Sequence, residues 1–166
     1  HIPLSRVKDH LNKNLIEFRI KEVFNSLLND FGVKRPKVAV LSIDPHVGDQ
    51  GVIGNDDEKL LKPVLNKLMG DSYDIKGPYA SDSFFGSQSY KNFDAIVATY
   101  HDQGLIPFKT LTFGKGVNFT AGLDIVRTSP DHGTAYDISG KNIANYDSFK
   151  SAIFTSIEIV KNRGKN

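Results

Sequence analysis

Residues 100–109 read Tyr100-His101-Asp102-Gln103-Gly104-Leu105-Ile106-Pro107-Phe108-Lys109, and they come shortly after the apolar run Ala95-Ile96-Val97-Ala98. The apolar run predicts a buried strand. In open α/β sheets, binding and catalytic residues collect just past the carboxyl ends of such strands, which hold them rigidly at a crevice. We therefore predict that residues 100–109 form a loop at a functional site. From this segment alone, a loop whose polar side chains only satisfy backbone groups is an equally good interpretation.

A second apolar run, Val38-Ala39-Val40-Leu41, also leads into a polar segment with a histidine. Its continuous apolar character is typical of a parallel strand that is covered on both faces. The glycine-containing segment that follows, residues 44–55, would let a ligand or another backbone approach closely. It has neither a Gly-x-Gly-x-x-Gly pattern nor a phosphate-loop lysine. Strands alternate with helical patterns through this region, which predicts an α/β fold with a mostly parallel sheet.

Further elements are predicted from apolar periodicity and from capping residues. A core-facing helix is expected over 15–31, capped by Asn14 and closed by Gly32. Asn55 and Glu58 approximate a capping box for a helix that extends to about residue 69 and is kinked or begun by Pro63. A short strand at 73–75 precedes a turn at 77–85 that presents Asp82.

In the second half of the chain, the sequence predicts short strands and turns in place of buried strands that alternate with helices. Residues 117–120 and 125–128 are expected to form two short, partly exposed strands in an antiparallel extension. A polar turn follows at 130–137. The last helix is expected to be capped by Asp147 or Ser148. One of its faces carries the apolar residues Phe149, Ile153, Ile157 and Val160.

Composition excludes several classes of function. A length of 166 residues suits one domain, or one and a part. The formal net charge is only +2, and no dense basic face with interleaved aromatic residues is visible, so a nucleic-acid partner is not expected. The basic residues Lys161, Arg163 and Lys165 are interpreted as a solvated helix end. No apolar run is long enough to span a membrane, and no signal peptide is visible, so we predict a cytoplasmic protein.

Histidines and carboxylates suggest a divalent metal site. The chain has no cysteine, so a metal must be held by His, Asp or Glu. His1, His46 and His101 fall where strands or the chain start deliver them into loops, and the nearby carboxylates are Asp49, Asp82 and Asp102. Three imidazoles with open positions would suit zinc or a similar ion acting as a Lewis acid. Ordinary hydrogen-bonded histidines remain the alternative, because no compact His-Glu-x-x-His spacing is present.

Basic residues in the second half suggest an anion site. Lys109, Lys115 and Arg127 flank Asn118, a grouping that could bind a phosphorylated substrate. Scattered surface charge is the alternative. Residues 132–135, close to Asp137, offer backbone groups, a hydroxyl and an imidazole that could contact a ribose or an adenine, although an ordinary turn would have the same composition.

Taken in order, these motifs resemble the 4-hydroxythreonine-4-phosphate dehydrogenase family of pyridoxine biosynthesis. The resemblance covers essentially the whole chain, which matches the C-terminal half of that enzyme. It is carried by His1-Ile2-Pro3-Leu4, Asp44-Pro45-His46-Val47-Gly48, Tyr100-His101-Asp102-Gln103-Gly104 with Lys109, Gly116-Val117-Asn118, and Arg127-Thr128-Ser129-Pro130-Asp131-His132-Gly133-Thr134-Ala135. The second of these departs from the family's Asn-Pro-His-Ala-Gly loop at Asp44 and Val47.

The resemblance implies a role for each of these groups. His1, His46 and His101 would be the metal ligands, assembled at a homodimer interface with ligands from both subunits. Asp82 and Asp102 would lie beside the metal as catalytic residues, together with Lys109. Lys109, Asn118 and Arg127 would hold the phosphorylated substrate. The resemblance to the adenosine-binding segment of isocitrate and isopropylmalate dehydrogenases implies cofactor contacts from His132, Gly133, Thr134, Ala135, Asp137, Lys141 and Asn145, and the corresponding fold.

The implied activity is NAD- or NADP-dependent oxidation and decarboxylation of 4-phosphooxy-L-threonine to 3-amino-2-oxopropyl phosphate, with zinc, cobalt or magnesium as the metal. Residues 1–130 would form the metal- and substrate-binding domain. Residues 131–166 would contact the cofactor and return to a domain whose N-terminal part is missing here, so that this chain alone is an incomplete catalyst. The alternatives are a sister dehydrogenase acting on 4-phospho-threonate or 4-phospho-erythronate, and a non-catalytic half-domain that binds metal or phosphate.

Overall fold

A computed structural model describes residues 1–164 and contains six α-helices and five strands within that range. The helices are α1 (Leu4–His10), α2 (Lys13–Asn29), α3 (Lys62–Gly70), α4 (Ser81–Gly86), α5 (His101–Thr112) and α6 (Asp147–Arg163). The strands are β1 (Val38–Leu41), β2 (Ile75–Tyr79), β3 (Ala95–Val97), β4 (Val117–Phe119) and β5 (Thr128–Pro130). No helix in this range is long and apolar enough to cross a membrane.

The main sheet is parallel, in the order β2-β1-β3. All four residues of β1 have 0% exposure, which explains their continuous apolar sequence. The α/β fold with a mostly parallel sheet and the strand at 38–41 are thus confirmed. The strand predicted at 73–75 is misplaced, because β2 runs through Pro78. A proline fits there because β2 is an edge strand and need not donate to a neighbour at that position.

Helices cover the two faces of the sheet. On one face, α2 and α3 pack with one side of β1 into a core of eleven buried residues. On the other face, Phe84 of α4 packs against Ala39 and Leu41, with further aromatic residues around it. The predicted helix at 15–31 is confirmed in its core-facing side, but Asn12, not Asn14, caps it. Gly32 ends it with a φ of +66°, as a closing glycine should.

The antiparallel extension is confirmed, with a shift of its second strand. β4 pairs with β5, so this strand lies at Thr128–Pro130 and not at 125–128. α6 packs against this ribbon: the Thr128 hydroxyl donates to the Ala152 carbonyl over 2.9 Å. The Ser148 hydroxyl donates to the Gly116 carbonyl and accepts from the Asp131 N–H. The ribbon and α6 therefore form one packed unit.

The predicted helix and its apolar face are present in α6. This face is exposed, with Phe149 at 58%, Ile153 at 45%, Ile157 at 44% and Val160 at 57%. Small residues on the other side, Ser148 and Ala152, lie against the ribbon because they allow a close approach. The side chain at the helix start is Asn145, whose Oδ1 accepts from the Asp147 N–H; neither Asp147 nor Ser148 caps the helix.

Arg163 does not end α6 as the solvated charge that was expected. Its Nε donates to the Asp30 carboxylate over 2.6 Å, and Asp30 is 4% exposed. Its Nη1 donates to the carbonyls of Leu123 and Asp124. This ion pair joins the ends of α2 and α6. Lys165, from the same predicted basic end, lies outside the described residues.

Candidate active site

Residues 101–112 form helix α5, so the prediction of a loop at 100–109 is wrong. His101 is the first residue of the helix, directly beyond the carboxyl end of β3. Gly104 lets the helix lie close to the sheet, because a Cβ there would come within 3.0 Å of the Ala98 Cβ. Pro107 lies inside the helix, where it cannot donate a backbone hydrogen bond. The placement of His101 at the end of a strand is nevertheless as predicted.

Asp102 lies at the centre of a short hydrogen-bonded group. Its carboxylate accepts from the Tyr100 hydroxyl and from Nδ1 of His101, both over 2.8 Å. The bonds from His101 and then Tyr100 lower the pKa of Asp102, and the bond to Asp102 raises the pKa of Tyr100. Asp102 therefore stays ionised near neutral pH. Since Nδ1 of His101 donates, Nε2 of the neutral ring is left as the nitrogen that can bind a ligand.

Gln103 is a site residue that sequence reasoning left without a role. Its Nε2 donates to the Ser42 carbonyl and to the Ser81 hydroxyl, each over 2.7 Å. Its Oε1 accepts from the Thr99 N–H over 2.9 Å. One carboxamide thus joins the ends of β1 and β3 to α4 and α5. Its position inside the Tyr100–Gly104 motif was the only sequence signal for this function.

A cleft of about 400 Å³ brings three of the predicted site residues together. His46 follows β1, Asp82 lies in the first turn of α4, and Asp102 lies in the first turn of α5. All three side chains are exposed. Residues 77–85 form the end of β2 and α4, not the predicted turn, but Asp82 is presented as expected. The carboxyl ends of the parallel strands therefore carry the cleft.

His46 lies in an unusual turn, Pro45–Gly51. Residues 46–50 all have positive φ, with values of 51°, 57°, 80°, 42° and 53°. The segment is therefore a tight left-handed turn, and Asp49 lies within it. The predicted close approach of backbone is confirmed, because a Cβ at Gly48 would overlap the Gly54 carbonyl oxygen. The approximate capping box is wrong: neither Asn55 nor Glu58 caps the π-helical turn Asp57–Leu61 or α3, whose first turn contains Pro63.

His1 lies against His101, with ring centroids 4.8 Å apart in an edge-on arrangement. The structure thus brings two of the three predicted ligands into contact and places His46 on the neighbouring cleft, which shares Tyr100 with the cleft around His1. Within residues 1–164, no three His, Asp or Glu side chains form a group that could hold a metal. A single chain therefore supplies only part of the imidazole ligand set that a divalent ion would need.

Two of the three predicted phosphate-binding residues, Asn118 and Arg127, lie on the β4-β5 ribbon, and Lys109 of α5 reaches its end. Asn118 pairs with Ser129, and the Thr120 N–H bonds to the Arg127 carbonyl, so the side chains of Asn118 and Arg127 lie on the same face. That face is opposite Thr128, which bonds to α6. Lys109 donates to the carbonyl of Asp131, the residue after β5, over 2.9 Å. All three are exposed, as is Lys115 on the preceding loop.

The predicted cofactor segment begins beside Lys109 and is largely exposed. Nδ1 of His132 donates to the Gly133 carbonyl over 2.9 Å. Ala135 has a φ of +50° and precedes a 3₁₀ turn at Tyr136–Ile138, which includes Asp137. Asn145, at the end of the segment, is engaged with the start of α6. The segment therefore begins directly beyond the end of the ribbon strand β5, beside Lys109.

Comparison with known proteins identifies the relatives of this chain. A sequence model described as "Pyridoxal phosphate biosynthetic protein PdxA" matches residues 1–156. A 4-hydroxythreonine-4-phosphate dehydrogenase from Bacteroides thetaiotaomicron is 46% identical over 163 residues, covering 98% of this chain and 45% of the relative. One from Prosthecochloris aestuarii is 44% identical, with 98% and 48% coverage. The chain thus spans about half the length of the curated relatives it matches.

Solved structures agree with the sequence relatives. The crystal structure of 4-hydroxythreonine-4-phosphate dehydrogenase from Klebsiella pneumoniae matches with a TM-score of 0.80 and 36% identity, over 98% of this chain and 48% of that one. This match confirms the predicted fold of the isocitrate and isopropylmalate dehydrogenase type. A terephthalate 1,2-cis-dihydrodiol dehydrogenase from Burkholderia xenovorans matches with a TM-score of 0.74 and 27% identity, over 99% of this chain and 50% of that one. The chain therefore belongs to the PdxA family of pyridoxal phosphate biosynthetic proteins.

Proposed function

We propose that this chain is part of an NAD(P)-dependent dehydrogenase that oxidises and decarboxylates 4-phosphooxy-L-threonine to 3-amino-2-oxopropyl phosphate in the biosynthesis of pyridoxal phosphate. The observation that carries the proposal is the cleft that joins His46, Asp82 and Asp102 at the carboxyl ends of the sheet, next to the His1–His101 contact. The names of the relatives supply the substrate. We also propose a cytoplasmic location, as expected of a biosynthetic enzyme.

His1, His46 and His101 would hold a divalent ion, with zinc as the first candidate and cobalt or magnesium as alternatives. When bound, such an ion acts as a Lewis acid that polarises the substrate hydroxyl to be oxidised. The ionised Asp102 orients His101 through Nδ1 and so directs Nε2 outward. Asp82 and Asp102 place negative charge at the rim of the cleft, where they can accept hydrogen bonds from substrate hydroxyl or ammonium groups.

We further propose that the complete site forms between two copies of the chain. The incomplete ligand set of one chain supports this, because a third imidazole must come from elsewhere. Exposed apolar residues of α5 and its end also support it: Ile106, which lines the cleft, is 64% exposed, Leu111 52% and Phe113 88%. Large apolar side chains that form one exposed patch usually mark a surface that a partner covers. A homodimer whose interface includes α5 would cover them and bring the ligands together.

Lys109, Asn118 and Arg127 would hold the substrate phosphate. Arg127 donates to the Thr120 hydroxyl over 2.9 Å, which keeps the guanidinium over the outer face of the ribbon. Lys109 is tethered by Asp131, so its ammonium group lies between the ribbon and α5. There it can bind phosphate as a point charge or supply a proton to the carbon that loses carbon dioxide.

Residues 132–137, with Lys141 and Asn145, would contact the nicotinamide cofactor, NAD or NADP. Their exposure supports this, since a cofactor segment must be open before the cofactor binds. We retain the proposed division into a metal- and substrate-binding domain, 1–130, and a cofactor-contacting segment, 131–166. The exposed apolar face of α6 supports a packing partner in the half of the family protein that this chain does not span.

A sister dehydrogenase is the second candidate. The match to a terephthalate dihydrodiol dehydrogenase at a TM-score of 0.74 favours this alternative, because one fold serves different substrates. The residues proposed here bind metal, phosphate and cofactor, and 4-phospho-threonate or 4-phospho-erythronate would use the same groups. A half-domain that binds metal or phosphate without turnover is the third candidate.

Metal content tests the proposal first. Zinc per chain is measured by elemental analysis after dialysis for the parent, His46→Ala, His101→Ala and, as a matched control that also removes one imidazole, His132→Ala. We expect near-stoichiometric zinc in the parent and in the control, and loss in the other two variants. Formation of reduced nicotinamide with each of the three phosphorylated compounds then separates the candidates. Zinc retained by both His46→Ala and His101→Ala would contradict the proposed site.

A further inference from the structure

Asp57 is a buried carboxylate that no part of the proposed reaction uses. It is 1% exposed, and its two oxygens accept from the N–H groups of Ile43 and Asp44, each over 2.9 Å. These two residues form the exit from β1, directly before Pro45 and His46. Burial raises the pKa of Asp57, and the two backbone donors oppose that shift. An aspartate is rarely this buried unless it is paired, and here its partners are the two backbone N–H groups.

Asp44 completes a reciprocal arrangement. Its Oδ2 accepts from the Asp56 N–H over 2.8 Å. Asp57 thus binds the backbone N–H of Asp44, and Asp44 binds the backbone N–H of the residue before Asp57. The carboxyl group of Asp44 also fills the space beside Gly54 that a larger residue would occupy. The two carboxylates therefore hold together the two ends of the segment 44–57. We name the side chains of Asp44 and Asp57, with the three N–H groups they bind, the aspartate clamp.

The segment between these ends carries His46. Residues 46–50 all lie in the left-handed region, and one of them is the β-branched Val47 with a φ of 57°. Such a run persists only when the surrounding structure fixes it. His46 itself is exposed, so the place of its ring follows from the backbone of the turn. A change at Asp57 would thus reach His46 through Ile43 and Asp44 without any contact to the ring.

We propose that Asp57 is a positioning residue for His46: its carboxylate fixes the backbone at 43–44 so that the left-handed turn presents the imidazole to the cleft shared with Asp82 and Asp102. This inference rests on the proposed function, in which His46 is a metal ligand. The residue is not catalytic, because it lies behind the turn and is closed off from the cleft.

The test compares Asp57→Asn with Asp56→Asn in the full chain. Both remove one negative charge from adjacent positions. Asp56 uses its side chain for an ion pair with Lys8 over 2.9 Å, and only its backbone joins the clamp. In Asp57→Asn, the carboxamide oxygen accepts from one of the two backbone N–H groups. The NH₂ group then faces the second N–H, and two donors cannot form a hydrogen bond. Asp44→Ala opens the clamp from the other side and serves where Asp57→Asn does not fold.

Two readouts are taken well below the thermal midpoint of each variant. The first is the ring proton resonance of His46 by NMR, assigned from its loss in His46→Ala, with His132 as an internal reference. We expect Asp57→Asn to shift or broaden the His46 signal and to leave His132 unchanged. The second is the Zn²⁺ dissociation constant, which we expect to weaken about ten- to a hundredfold, as for other groups that orient a ligand. Asp56→Asn should match the parent in both.

The inference would be overturned if Asp57→Asn had a lower thermal midpoint but the same His46 signal and the same Zn²⁺ affinity as the Asp56→Asn control. Asp57 would then be a purely structural residue. The two proposals fail separately. Zn²⁺ binding that survives His46→Ala would refute the metal assignment of the proposed function, whereas the His46 signal tests the aspartate clamp without any metal.

Discussion

Gly54→Ala is the substitution whose effect follows most directly from the geometry of the His46 turn. A Cβ at Gly54 would overlap the carboxyl group of Asp44, with Oδ1 2.5 Å away. Gly54 does not have a left-handed φ, so the alanine backbone is tolerated and the contact alone decides the outcome. The carboxylate must move, which breaks its bond to the Asp56 N–H.

The magnitude follows from two opposing contributions. A hydrogen bond to a charged group contributes about 1.5–3 kcal/mol. Replacing glycine by alanine at a compatible backbone position returns about 0.4–1 kcal/mol through the unfolded state. The net expectation is a loss of about 1–2 kcal/mol in the free energy of unfolding, together with a displaced His46 turn.

Urea unfolding of the full chain measures this change, with Gly70→Ala as the matched control. Gly70 is the last residue of α3, and a Cβ there would meet nothing within 4 Å. The control should be unchanged or more stable by up to about 1 kcal/mol, because alanine favours the helix. A Gly54→Ala chain as stable as the Gly70→Ala chain would refute the claim that Asp44 and Gly54 are packed against each other.

Three further predictions concern charged groups. Arg163→Met should lower the free energy of unfolding by about 3–5 kcal/mol, because it leaves the buried Asp30 without its cation; Arg163→Lys in the same urea assay should lose less. Hydrogen bonds from two lysines lower the pKa of Glu17 in the folded chain. The contribution of Glu17 to the free energy of unfolding is therefore fully present above the ordinary carboxyl pKa, and it is lost as pH falls through the lowered pKa of the folded state. Glu17→Gln should therefore flatten the acid side of stability measured against pH, and an unchanged slope would contradict this. Arg127→Gln should weaken binding of inorganic phosphate in calorimetry by about tenfold, since it removes a charged donor from the outer face of the ribbon. Arg35→Gln, on the loop between α2 and β1, removes the same charge outside the proposed phosphate site and should not weaken binding.

The central strand and the α2 helix could be predicted closely because burial controls their sequence. β1 is covered on both faces, so all of its residues are apolar and its bounds stand out. The apolar spacing of α2 follows from a single core-facing side, with Ile16, Ile20 and Phe24 in contact with the sheet. In both elements, the local pattern and the tertiary environment agree.

Failures occurred where tertiary contacts override local preference. Gly104 and Pro107 predict a loop locally, yet packing against Ala98 makes glycine suitable within α5. The apolar stripe of α6 was found, but periodicity cannot say whether a stripe is covered within the chain. The ribbon selected the small-residue side of the helix instead.

The candidate site was predictable in part for a similar reason. Residues past the ends of parallel strands meet at one edge, which brought His46, Asp82 and Asp102 together as expected. Asp57 was missed because its sequence gives no sign of burial, and Asn55 and Glu58 offered a plausible capping box beside it. The role of a buried carboxylate depends on which backbone groups it meets, and here these lie thirteen or fourteen positions away.

The claim that the metal site is shared between two copies is tested most directly by mixing His46→Ala and His101→Ala chains. Each variant alone should bind no zinc. If His46 and His101 of one site come from different copies, a dimer of the two variants contains one complete ligand set, so reassociation should restore about one zinc per mixed dimer. A mixture that binds no more zinc than either variant alone, although the dimers exchange subunits, would contradict the shared site.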